Sequence, residues 1–272
     1  MNSFWEKALG VAREASAEVG EELLRLFGRV TATEKEDGTL ITQGDRWADQ
    51  RLRERIASAF PDHGILSEEA DCTFPDREWT WVIDPVDGTS NFTRGMPIWA
   101  VSLGLLHNGW PRFGHVAVPT LATAFHGWHG GDGDETPGGA FRNGEPIRTS
   151  RAEPSNHQFF NICSRSLRVL KPGFPCKVRM LGSATYNLLT VAMGASLGGV
   201  EATPKVWDLA GIWPILHAAG AAWVPLGETP PFPLVPGRDY TSLSQPTLVV
   251  AREELVPLFR SLVAPVARGE LS

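Results

Sequence analysis

Cysteine is scarce in this 272-residue chain. Cys72, Cys163 and Cys176 are odd in number and form no CxxC pair, which argues against a disulfide framework and a structural zinc site and fits a reducing compartment. No run of 18 apolar residues is present, and the opening MNSFWEKALG lacks the basic-then-apolar layout of a signal peptide; the expectation is a soluble, cytoplasmic protein without a membrane segment. An excess of basic residues is also missing, with 25 Lys and Arg against 31 Asp and Glu for a net charge of -6. That balance removes the electrostatic reason to expect nucleic acid as a ligand. An anionic substrate would need local positive charge, and bound metal is one source. Neither a Gly-x-Ser-x-Gly elbow nor a P-loop occurs, so nucleophilic hydrolase and nucleotide kinase chemistry lack support. What is present is an ordinary globular composition, 42% hydrophobic and 21% charged, long enough for a sizeable core.

Leu9, Ala12, Ala15, Val19, Leu23, Leu26 and Phe27 recur at three- and four-residue spacing, which predicts one amphipathic helix from about 3 to 28, ended near Gly28. Trp47, Leu52, Ile56 and Phe60 line a second helix over 45–60, stopped by Pro61. From Gly64 the texture changes to short apolar runs. Strands are predicted at 79–83, 98–106, 113–118 and 122–128, with the second and third joined across His107-Asn108-Gly109. A surface loop over 130–139, a strand at 159–163, helices at 183–194 and 208–220, and a strand at 247–250 complete the pattern, and Pro214 should bend the last helix. The result is a mixed α/β fold of α+β layers. One compact unit over 1–272 is expected, with two intimately packed halves dividing near 145–155 as the alternative.

The chemistry concentrates in Trp81-Val-Ile-Asp84-Pro-Val-Asp87-Gly88-Thr89. An apolar strand delivers Asp84 at its end, Pro85 restricts the backbone, and Asp87 follows three residues on, a layout able to aim two carboxylates at one point. Gly88 permits a tight turn, so the Gly88 and Thr89 amides can face an anion. The bland reading is a pair of turn-forming dipeptides. Other acids follow the same habit: Glu68 and Glu69 after Gly64-Ile-Leu, Asp45 near one helix start and Asp208 at another. Thr42 to Asp45 has the spacing of a capping box, Asp208 suits a helix dipole, and Glu69 is expected to be solvated.

Taken in order, Glu68-Glu69, Asp84-Pro-Val-Asp87-Gly-Thr89 and Trp207-Asp208-Leu-Ala-Gly211 resemble the signatures of the inositol monophosphatase family, as do 138–147 and 181–184. The likeness runs from about residue 35 to 220. It implies alternating helix and sheet layers of the inositol monophosphatase and fructose bisphosphatase type, and a magnesium-dependent, lithium-sensitive phosphatase. By position, Glu68, Asp84 and the Val86 carbonyl would hold one magnesium ion, and Asp84, Asp87 and Asp208 a second. Asp45 with Glu68 would support a weaker third through water. Thr89 would orient the attacking water, and the Gly88 and Thr89 amides would bind phosphate. Asp87, Ala184 (through its backbone) and Glu201 would contact the substrate. Converging carboxylates agree with that picture: two unit charges ~5 Å apart repel by roughly 3 kcal/mol at an effective dielectric of about 20. All-oxygen ligands suit magnesium rather than zinc. The family also implies a homodimer, for which a loop Trp such as Trp110 is a candidate contact.

This chain departs from the family pattern at Ser67, where Gly is common, at Gly44, where Ala is usual, and in the 218–221 segment. Inositol monophosphate is the default substrate; histidinol phosphate, fructose bisphosphate and 3'-phosphoadenosine phosphate stay open. Ile212-Trp-Pro-Ile215 and His63-Gly-Ile-Leu66 lean toward histidinol phosphate, Glu201 toward inositol. A regulatory binding protein that retains the fold is the alternative of another class. His126 and His129 with Asp132, Asp134 and Glu135 are expected to be a solvated loop rather than a second metal site, and Ser183 to cap a helix rather than attack a substrate.

Overall fold

A computed structural model describes residues 3–35, 40–130 and 138–264. The expected surface loop of 130–139, with Asp132, Asp134 and Glu135, lies largely outside the described residues. Two helices open the chain, α1 (Ser3–Leu26) and α2 (Gln43–Ala59), flanking a short antiparallel pair β1 (Thr33–Glu34) and β2 (Leu40–Ile41). The predicted 3.6-residue spacing is what buries Trp5, Ala8, Leu9, Ala12, Ala15, Val19 and Leu23 of α1. Helix α2 starts at the expected capping box: Thr42 accepts from the Gly44 and Asp45 amides while Asp45 accepts from the Thr42 amide.

A seven-stranded sheet follows, in spatial order β3 (Gly64–Ser67), β4 (Trp79–Asp87), β5 (Ala100–His107), β6 (Trp110–Val118), β7 (Thr123–Trp128), β8 (Gly139–Arg142) and β9 (Glu145–Pro146). Only the β3–β4 pairing is parallel. The β5–β6 hairpin turns on Asn108 and Gly109, both at positive φ (48° and 79°), as an Asn-Gly turn requires. One face of this sheet packs on α1 and α2 through Trp5, Leu52, Trp81, Ile83, Trp99 and Phe113.

A second, mixed sheet has the order β11 (Lys177–Arg179), β10 (Phe159–Ile162), β12 (Gly198–Glu201), β14 (Thr247–Val250) and β13 (Ala222–Pro225). After α3 (Thr89–Thr93), the remaining helices are α4 (Ala184–Ala192), α5 (Val206–Ala210), α6 (Trp213–Ala219) and α7 (Val256–Ser261). Helices α4, α5 and α6 lie between the sheets, and one continuous buried cluster from Leu66 to Val263 draws on both. Helix, sheet, helix and sheet layers therefore alternate, the α/β class expected.

The predicted 208–220 helix is instead two. Helix α5 ends at Ala210, and α6 restarts at Trp213 with Pro214 in its first turn, where a missing N–H costs nothing. The break lets backbone approach the sheet at its glycines: a Cβ on Gly104 would lie 2.6 Å from the Ala210 carbonyl carbon, and one on Gly114 would collide with the Gly211 oxygen. No helix among the described residues is long and apolar enough to cross a membrane. Cys72, Cys163 and Cys176 are free thiols.

Candidate active site

The strand β4 delivers two carboxylates to one side of the sheet by an irregularity. In a regular strand residues three apart point to opposite faces. Here Asp84 pairs with Ser102 and Asp87 with Ala100, so β4 advances three residues while β5 advances two. Pro85, lacking an N–H for the ladder, sits in that bulge. The extra residue restores the same facing for Asp84 and Asp87. Gly88 follows at φ 93°, and a Cβ there would crowd the Gly182 and Ile98 oxygens at 3.2 Å. The chain then turns into α3.

Asp208, the third residue of α5, joins them: carboxylate oxygens of Asp84, Asp87 and Asp208 all lie within 4.8 Å of one another. Their surroundings differ in hydrogen bonding. Asp87 accepts from Ser183 Oγ, from the Thr185 amide at 2.8 Å and from the Ala184 amide at 3.3 Å. Asp208 Oδ2 accepts from the Lys205 amide at 2.7 Å. Asp84 Oδ1 accepts from the Val86 amide at 3.0 Å, whereas its buried Oδ2 has no hydrogen-bond partner among the described residues. Burial, followed by the charges of Glu68, Asp87 and Asp208, holds the Asp84 carboxyl well above the usual carboxylate range. Burial and then Asp87 push Asp208 up to about 7, and Asp87 itself is raised by burial against its three hydrogen bonds.

Glu68 and Glu69 leave the end of β3 toward this cluster. Both are pushed up to about 7, chiefly by burial. Lys35 Nζ lies 3.2 Å from Glu68 Oε1 and 2.7 Å from Glu69 Oε1. Glu69 is thus not the solvated residue expected: its side chain is 3% exposed, because the Lys35 ammonium offsets the loss of water. Lys35 is the residue that sequence reasoning missed, and a lone Lys ahead of an acidic pair 33 positions away carries no local signal.

Asp45 is buried and raised by that burial. Its Oδ2 accepts from the Thr42 amide at 2.9 Å and from the Thr42 hydroxyl. Thr89 Oγ1 stands 3.2 Å from Asp45 Oδ1 and 3.0 Å from the Val86 carbonyl. Its single hydrogen serves one acceptor at a time.

Glu201 ends β12 and is buried. Asn187 Nδ2 donates to its Oε1 at 2.7 Å. Burial pushes its carboxyl up to about 8, and the Asp87 charge adds to that rise. Ser183 caps α4 as expected, accepting from the Tyr186 amide at 3.1 Å while donating to Asp87. His126 lies not in the Gly-rich loop but on β7, stacked against Phe141 at 5.0 Å and lowered to about 4 by burial. Trp110 is not in a loop but opens β6, where it is 41% exposed.

The model of the inositol monophosphatase family matches residues 5–260. A fructose-1,6-bisphosphatase/inositol-1-monophosphatase of Aquifex aeolicus is 32% identical over 237 residues, 82% of this chain and 87% of that protein. A histidinol-phosphatase of Chlorobaculum parvum is 30% identical, over 78% of this chain and 83% of its own length. A solved Thermotoga maritima IMPase shares the fold with a TM-score of 0.76 at 27% identity, covering 94% of this chain and 97% of that one. The chain belongs to the inositol monophosphatase family. It is an enzyme, a phosphoric monoester hydrolase.

Proposed function

We propose that this chain works as one unit that hydrolyses a small phosphomonoester with magnesium bound between Asp84, Asp87 and Asp208, inositol monophosphate being the default substrate. The observation that carries the reading is the carboxylate triad with its buried, unpartnered Asp84 oxygen. Three acids this close repel one another unless protonated or bridged by a cation, and an all-oxygen donor set fits a hard divalent ion. Glu68, the Val86 carbonyl and Asp45 border the triad and are the remaining candidates for holding two or three ions. When bound, magnesium supplies activation of water and neutralisation of charge on the phosphoryl oxygens.

The chain's own groups do the rest. Thr89 Oγ1, donating to Asp45 Oδ1, keeps its lone pairs free to accept a hydrogen from the attacking water. Asp45, raised by burial, is suited to hold that proton at Oδ1, since Thr42 occupies its Oδ2. The Gly88 and Thr89 amides bind the phosphate. Asp87 and Glu201, with the Ala184 backbone, face the alcohol part. The same reading carries homodimerisation, a cytoplasmic location and inhibition by lithium.

The test is phosphate release from inositol 1-phosphate in magnesium and in chelator. Asp87→Asn should keep the fold and lower turnover at least ~100-fold, as loss of charge stabilisation does. Near-normal activity in that variant, or release undiminished in chelator, would overturn the reading.

A further inference from the structure

We propose that Ser67 is a positioning residue: tied to the buried carboxylate of Asp49, it holds Glu68 in place for magnesium, and the Ser67–Asp49 bond sets how tightly the chain binds that ion. This rests on the phosphatase reading above and deepens it at one edge of the same site.

Glu68 and Glu69 occupy the two central positions of a turn, closed by the Ala70 amide donating to the Ser67 carbonyl at 3.3 Å. The turn follows β3 directly and faces the acidic cluster. The Glu68 charge acts on Asp84, and those of Asp208 and Asp45 act on Glu68. Like charges gathered there push the turn away from β4. Two backbone bonds resist that push. The Glu68 amide donates to the carbonyl of Ile83, the residue before Asp84, at 3.2 Å, and the Ser67 amide donates to the Asp71 carbonyl at 3.3 Å. Any residue but proline at position 67 could form the second, and the first does not involve its side chain.

The third anchor needs a particular side chain. Ser67 is 1% exposed, and its Oγ donates to Asp49 Oδ1. Asp49 lies one helical turn after Asp45, so α2 presents two buried acids on one face. Asp45 meets Thr89, and Asp49 meets the base of the Glu68 turn. Arg53 Nε lies 2.9 Å from Asp49 Oδ2. Each oxygen of the Asp49 carboxylate therefore has its own partner, and the acceptor offered to Ser67 has a fixed direction. Glycine, common at this position in the family, carries no hydroxyl and cannot make the bond. In this chain α2 thus holds the turn through a contact that the usual residue lacks.

A metal ligand already fixed in its binding geometry spares the ion the cost of ordering it. Ser67 acts on magnesium only through Glu68, so its loss should appear in ion binding rather than in the chemical step.

The test is calorimetric titration of the metal-free protein with magnesium, without substrate, together with the rise in Tm that magnesium produces. Ser67→Ala should raise the magnesium Kd at least about fivefold and shrink the Tm rise. At saturating magnesium, kcat on inositol 1-phosphate should change less than about threefold. Ser67→Cys, close in shape but with a weaker donor, should fall between Ser67→Ala and wild type. Asp49→Asn keeps a hydrogen-bonding partner for Ser67 without the charge and should leave the Kd within about twofold. In a Glu68→Gln background, Ser67→Ala should change the Kd less than about twofold, since the residue it acts through is already altered. An unchanged Kd in both Ser67 variants, the same loss in the Glu68→Gln background, or an Asp49→Asn loss as large as that of Ser67→Ala overturns the proposal while leaving a magnesium-dependent phosphatase. A wild-type chain that binds no magnesium overturns the underlying reading, and this proposal with it.

Discussion

Replacing Asp208 by Asn separates what the acidic cluster does for catalysis from what it costs the fold. Asp208 titrates near 7 in the folded chain, raised first by burial and then by Asp87, against about 3.9 when unfolded. Below about pH 4 both states hold the proton and there is no penalty. Between about pH 4 and 7 the folded state keeps a proton that the unfolded state has released, so stability falls as pH rises. Above about 7 the penalty is complete. A difference of about 3 units at 1.36 kcal/mol each is about 4 kcal/mol. A Coulomb route gives the same order: a pair within 4.8 Å repels by at least about 3.5 kcal/mol at an effective dielectric of about 20.

Water reaches part of Asp208, so a gain of about 2–4 kcal/mol is expected for Asp208→Asn at pH 8 in chelator. The introduced amide keeps an oxygen for the Lys205 N–H and brings a donor toward the unpartnered Asp84 Oδ2. Urea denaturation at pH 5, 6.5 and 8 should show the variant's advantage growing with pH. Saturating magnesium should narrow it, because a cation that binds only the folded wild type adds about 2.7 kcal/mol at a hundred times its Kd. Turnover should fall at least ~100-fold. A variant no more stable than wild type at pH 8 in chelator, or an advantage that shrinks as pH rises, refutes the reasoning.

Lys35→Gln should do the opposite, lowering metal-free stability by about 2 kcal/mol at pH 8, since Glu68 and Glu69 then face each other without the ammonium that offsets them. The loss should fade at pH 5, where carboxyls titrating near 7 are protonated; equal losses at both pH values count against it. Glu201→Gln should lower kcat/KM on inositol 1-phosphate by about 1–3 kcal/mol, with the deficit widening as pH rises through about 8 and little change on an ester lacking hydroxyls. Light scattering at micromolar concentration should give twice 29.6 kDa; a monomeric mass refutes the dimer.

The parts legible in the sequence are those governed by near neighbours. Helices α1 and α2 follow from apolar spacing and a Thr42 cap, and the β5–β6 hairpin from Asn108-Gly109. Strand β12 was not legible, because Gly198-Gly199 reads as a turn. A Cβ on Gly198 would meet the Phe160 ring at 2.6 Å and the Val249 oxygen at 2.8 Å, so glycine there answers to adjacent strands rather than to local preference. Strands β8, β9, β11 and β13 are short and were equally silent. The acids of the site were visible because they stand at strand ends and helix starts. Their partners were not: Ser183 and Thr185 reach Asp87 across 96 and 98 positions, and Lys35 reaches Glu69 across 34.

Those long-range partners also say where the cluster sits mechanically. Asp84 and Asp87 belong to the first sheet, Asp208 to α5 in the helical layer beneath it, and the donors to Asp87 to the start of α4. Hydrogen bonds cross this junction, from the Thr185 hydroxyl to the Asp208 carbonyl at 3.0 Å and from Asn91 Nδ2 to the Leu181 carbonyl at 2.7 Å. Repulsion among the three acids pushes the same junction apart. Packing on either side holds the acids at a spacing they would not choose. That opposition is the physical meaning of their raised titration, and it makes the spacing available to a divalent cation before one arrives. A cation shared between Asp84, Asp87 and Asp208 would replace repulsion with attraction across the sheet-to-helix junction, so binding would both assemble the chemistry and tighten the helical layer from which Asn187 donates to Glu201.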